Sequence, residues 1–180
     1  MRRLLTVLFV ASALATPVAC GSDEAASCEN LTSDDVENPA PDGVEAFDIE
    51  NNCHVEGSVD YEQSPPVGGP HNPIWVNCGF YSSPVPDENA VHALEHGVVW
   101  ITYDDVDDDT LETLEEFADD DDHVLVSEYP DQDSPLALTA WNRQMQVDDV
   151  DDPRVEEFLD TYLLADTAPE PGAPCDGGVG

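Results

Sequence analysis

The run Val98-Val99-Trp100-Ile101-Thr102-Tyr103 constrains the fold more than any other stretch of this chain. It shows no polar–apolar alternation and is rich in β-branched and aromatic side chains, so it reads as a buried strand. Val124-Leu125-Val126 and Leu136 to Trp141 read as two further strands. Polar and apolar residues alternate from His54 to Tyr61, which is also a strand pattern. Helical signals lie between them. Asp87 and Glu88 follow Pro86 and the segment stops at Gly97, the start and stop marks of a short helix. Leu111, Leu114 and Phe117 are spaced by three, which predicts an amphipathic helix from Thr110 to about Asp119. Val155, Phe158, Leu159, Tyr162 and Leu163 form the apolar stripe of a last helix. The expectation is a single small α+β domain over residues 47–168, with a mixed or antiparallel sheet and about three helices.

The ends of the chain read differently. Arg2 and Arg3 precede a mostly apolar run, Leu4 to Ala15, too short to span a bilayer as a permanent helix. Small residues in Pro17-Val18-Ala19 then lead into Cys20. Residues 1–19 resemble a lipoprotein-type signal peptide, with Cys20 lipidated as the mature N-terminus. Pro17 departs from that pattern, since an aliphatic residue is usual there, and cleavage after Ala15 without lipid is the alternative. The expectation is an exported protein, held by its lipid on the outer side of the cell membrane. Residues 20–46, acidic and proline-bearing, read as a flexible tether, and residues 169–180 as a Pro/Gly-rich tail. Export makes Cys28, Cys53, Cys78 and Cys175 candidates for two disulfides, with three connectivities open. No Cys-x-x-Cys is present, which argues against a redox dithiol or a zinc knuckle.

Charge removes further classes. Against 41 acidic residues stand 4 arginines and no lysine, a formal charge of −37. Nucleic acid is excluded as a partner, because Lys and Arg supply the counterion release that drives such binding. Docking on anionic lipid by charge is disfavoured on the same ground. The acids are spread along the chain rather than gathered into ligand loops, which favours a salt-adapted surface over a calcium store. Such a surface repels itself in dilute buffer, whereas at 1 M salt the Debye length is only about 3 Å. The domain is therefore expected to resist urea better in molar KCl than in dilute buffer. Equal urea midpoints in the two would contradict a halophilic reading.

The histidines carry the chemistry. His54, His71, His92 and His96 fall close together in sequence, and His92 and His96 share a helix face at a spacing of four. His54 is expected from a strand and His71 from the loop Ser64–Pro73. Four neutral imidazoles suit copper or zinc, with Glu88 and Glu95 as further ligands or as acceptors that fix the imidazole tautomers. His92 to His96 also matches H-x-x-E-H, the inverted zinc-peptidase motif with Glu95 as base, but the helix stops at Gly97 where such enzymes continue it. Asp105, Asp107, Asp109 and Glu116 imitate an EF-hand spacing, with Thr110 where the loop requires glycine. Asp119 to Asp122 reads as a solvated charge run. Trp75, Phe80, Tyr81, Trp100 and Trp141 are expected in the core or in a pocket wall.

A wider pattern joins these residues. His54-Val55-Glu56-Gly57 with Val59 and Tyr61 is followed by Pro65-Pro66, Gly69-Pro70-His71, Trp75, Gly79, Tyr81 and Pro84. Then come Glu88, Val91-His92, Leu94-Glu95-His96-Gly97, Tyr103, Leu138-Thr139-Ala140-Trp141, Asp148 and Phe158. Over roughly residues 50–175 the chain resembles the bacterial family called domain of unknown function 3105. The resemblance implies an exported or membrane-anchored address and assigns no reaction. It places the four histidines inside the motifs that define the family. The functional expectation is a lipid-anchored protein that binds copper or zinc through His54, His71, His92 and His96. A metal-dependent hydrolase with Glu95 as base and a metal-free surface interaction module are the alternatives. Nothing in the sequence identifies a protein partner.

Overall fold

The computed structural model describes residues 40–180. Six strands and three helices follow in the order β1 (Glu45–Ala46), β2 (Gly79–Tyr81), α1 (Asp87–Glu95), β3 (Val99–Tyr103), α2 (Asp108–Asp120), β4 (Val124–Glu128), β5 (Leu136–Ala140), β6 (Arg143–Val147) and α3 (Pro153–Tyr162). The strands form one mixed sheet in the order β1-β6-β5-β3-β4-β2. β3 and β2 run parallel to β4, while β5 is antiparallel to β3 and β6, and β1 is antiparallel to β6. This is the small α+β domain with a mixed sheet that the sequence implies. Among the described residues, no helix is long and apolar enough to cross a membrane.

β3 lies inside the sheet, and its lack of alternation follows from cover on both faces. Val99, Ile101 and Tyr103 face Leu114 of α2 and Val155, Phe158 and Tyr162 of α3. Trp100 faces the other way, in a second core with Ala90, Val91 and Leu94 of α1, Trp141, and Val67 and Val76 from the long loop. Hydrophobic burial of one such large side chain is worth about 1.5–3 kcal/mol. The second core is the floor on which the histidines are arranged.

Three expectations change. Residues 54–61 do not form a strand; only His54 bridges to His71. The positive φ of Gly57 (96°) breaks the extension, and Val59 N–H donates to the Glu88 carboxylate (2.8 Å) rather than to a ladder. The last two residues read as tether, Glu45 and Ala46, are instead β1, because β6 presents an edge that they complete. The tail also folds back on the domain. Cys175 is disulfide-bonded to Cys78, Val179 bridges to Val76, and Val179 N–H donates to Trp75 O at 2.9 Å. Cys53 is likewise in a disulfide. Cys20, Cys28 and the signal-like segment lie outside the described residues.

Candidate metal centre

α1 carries most of the site. Pro86 and the acidic residues Asp87 and Glu88 open it, and its C-terminal end is closed by Gly97 at φ 88°. Glycine is required there, since a Cβ would lie 3.0 Å from Leu164 Cα and 3.3 Å from Pro171 Cα. His92 and Glu95, three apart, project from one face. The long loop brings His71 against them. The positive φ at Gly69 (113°) helps place its carbonyl 2.8 Å from Nδ1 of His71. His54 arrives on the segment bridged to that loop, through Val55 N–H to His71 O (2.7 Å) and His71 N–H to Cys53 O (3.0 Å).

Four side chains converge. One ligand atom from each of His54, His71, His92 and Glu95 lies within 4.8 Å of all the others, so the group could hold a metal ion. Ligand atoms around a tetrahedral zinc with bonds of about 2.0–2.1 Å stand roughly 3.3 Å apart. Two pairs already approach that spacing, Glu95 Oε2 with His71 Nε2 (3.0 Å) and with His54 Nε2 (3.7 Å). Backbone carbonyls fix the tautomers. His71 Nδ1 faces Gly69 O and His92 Nδ1 faces Asn72 O (2.6 Å). A carbonyl oxygen only accepts, so each Nδ1 carries the proton and each Nε2 turns a lone pair inward, the orientation found in metal-bound histidines.

The electrostatics lead the same way. Glu95 is the only acidic side chain that is buried among the described residues, 2% exposed, where the other described acids are half-buried or exposed. A buried carboxylate is costly unless a cation compensates it. Burial raises the Glu95 carboxyl, but the His71 contact, the Asn52 amide donating at 2.6 Å and the nearby His92 outweigh it and hold the group below its ordinary value. Burial is the main cause that lowers His92 to about 4, against the Asn72 hydrogen bond, with His71, His96 and His54 adding repulsion. At neutral pH its imidazole is a neutral donor.

His96, expected as the fourth ligand, does not join the group. α1 ends at Glu95, and His96 has left helical geometry (φ −76°, ψ 0°). Its Nδ1–H donates to Pro174 O (2.8 Å), and its ring packs on Trp75 (4.9 Å) and His92 (4.7 Å). Glu95 takes the expected place of His96. Glu88 is spent on Val59, and Asp107 caps α2 through Thr110 N–H (2.9 Å), so the EF-hand likeness is a helix start. Sequence reasoning missed Asn52 and the carbonyls of Gly69, Asn72 and Pro174, because a backbone oxygen has no residue signature. Trp141, edge-on to His71 at 6.0 Å, lies in the second core, one of the two places expected for it.

A family model described as protein of unknown function (DUF3105) matches residues 54–177, from the first histidine of the cluster to beyond Cys175. No curated protein and no solved structure matches the chain.

Proposed function

The chain belongs to this family of proteins of unknown function, and we propose that it binds one zinc or copper(II) ion through His54, His71, His92 and Glu95. Three imidazoles and a carboxylate, with no thiolate or thioether, suit these borderline cations better than copper(I). One observation carries the reading. His71 Nδ1–H is committed to Gly69 O, so a neutral His71 would set its Nε2 lone pair against Glu95 Oε2 at 3.0 Å. A cation between the two atoms removes that conflict. Glu95 is held by Asn52 and turned toward two histidines, the posture of a ligand rather than of a base acting through water, which favours binding over hydrolysis.

The test is a titration of the metal-stripped full chain with zinc and copper(II), in excess calcium to occupy the surface carboxylates. One ion per folded chain is expected, and His92→Ala should retain none while keeping its near-ultraviolet circular dichroism. A folded wild type without a tight ion would leave His71 and Glu95 sharing a proton, in a buried network that joins the loops to α1.

The same reading places the protein outside the cytoplasm, anchored by lipid at Cys20 and suited to concentrated salt. The signal-like segment, the acidic surface and the disulfides at Cys53 and Cys78–Cys175 support it. The full chain should pellet with membranes and Cys20→Ser should not; identical partition of the two would overturn the anchor.

A further inference from the structure

Resting on that binding reading, we infer that His54 is the displaceable ligand of the site. Metal is exchanged with an incoming neutral nitrogen donor across the His54 face, while His71, His92 and Glu95 keep hold. The four ligands are unequally built. The His54 side chain is 37% exposed, against 0% for His71 and 3% for Glu95, and residue His92 is 4% exposed. The inner three are each fixed by a second contact, from Gly69 O, Asn72 O and the Asn52 amide. The His54 ring has no such hydrogen bond among the described residues. It leans on His92 (4.8 Å, 22° between planes) and approaches Glu95 at 3.7 Å.

The backbone under His54 is held by the flanking hydrogen bonds between Val55 N–H and His71 O and between His71 N–H and Cys53 O. Withdrawing the ring therefore needs a side-chain rotation and no opening of the fold, and exposed side chains rotate on the picosecond to nanosecond scale. The exchange is a ligand substitution. The lone pair of the incoming donor forms a bond to the metal, the bond to His54 breaks, and His54 leaves neutral with no electron transferred. A neutral donor of the imidazole type fits. An anionic donor taking the position of His54 Nε2 would meet the Glu95 carboxylate about as closely, amid a strongly negative surface.

The full chain and its His54→Ala and His92→Ala variants, each offered copper(II) with and without added imidazole, test this. His54→Ala should still bind one ion but release it to a chelator faster, by about tenfold or more, since loss of an outer partner alone commonly costs about that. Added imidazole should restore the slow release and the wild-type copper spectrum in His54→Ala. It should do nothing for His92→Ala, whose vacated position is sealed. A His54→Ala chain that takes no copper even with imidazole, or releases it at the wild-type rate, overturns the inference and leaves the binding reading standing. The binding reading falls only if the wild type itself takes up no metal. Unchanged near-ultraviolet signal from Trp75 and Trp141 shows that the variant is folded.

Discussion

Glu95→Gln should lower metal affinity by more than a hundredfold while leaving the protein folded. The substitution preserves shape but removes the one negative charge among the four ligands, in a position 2% exposed. Leaving a buried cation without its counter-charge costs about 3–5 kcal/mol, and each 1.4 kcal/mol is about a factor of ten in the dissociation constant. The metal-free protein should lose less. Asn52 donates to one carboxylate oxygen and the Nε2 lone pair of His71 faces the other, so the amide oxygen can accept from Asn52 while its NH2 donates to His71. No buried donor is left unpaired, so the stripped variant should stay within about 1 kcal/mol of the stripped wild type. A competition titration reads the first effect and the melting temperature of the stripped protein the second. If affinity stays within tenfold of wild type, Glu95 is outside the ligand set, and a water between it and the metal becomes the better arrangement.

The fold was legible where burial wrote it into composition. β3 has cores on both faces, and α2 and α3 show apolar stripes because each covers one face of the sheet. β6 was not legible. Three of its five residues, Arg143, Gln144 and Gln146, are polar, and the side chains of Arg143 and Gln144 are themselves buried on hydrogen bonds to Asn142, Pro65 and Thr139. β2 is three residues long and is defined by its parallel partner β4 rather than by its own pattern. At the site, the spacing of His92 and His96 suggested a chelating pair, and helix geometry alone would support one. What decided otherwise was the helix end at Glu95 and a carbonyl supplied from 78 residues away, by Pro174. Both are tertiary facts. His54, His71 and His92 were readable as candidates for one cluster, whereas the presence of Glu95 in it instead of His96 depends on where the tail lies.

That dependence makes the tail the second place where a large effect is expected. Replacing both Cys78 and Cys175 by serine should destabilise the domain by about 4–5 kcal/mol in the chain-entropy account of a loop this long, the two cysteines being 97 residues apart. The loss should also reach the metal centre. The last carbonyls of α1 have no partner within the helix, and here the tail supplies it, through Glu170 N–H to Glu95 O (2.9 Å) and Gly172 N–H to His96 O (3.0 Å). Pro174 O, one residue before Cys175, accepts the hydrogen bond from His96 Nδ1–H. Without the disulfide, the tail is held to the strand edge by hydrogen bonds such as Cys78 N–H to Cys175 O, and its departure would free the end of α1 that carries Glu95. The urea midpoint in molar KCl should fall sharply, and metal affinity should fall with it but by less than in Glu95→Gln, since no ligand is removed. A lower midpoint with unchanged affinity would mean that α1 holds its ligands in place without the tail. Unchanged affinity and an unchanged midpoint together would mean that the backbone pairing of residues 175–179 suffices by itself.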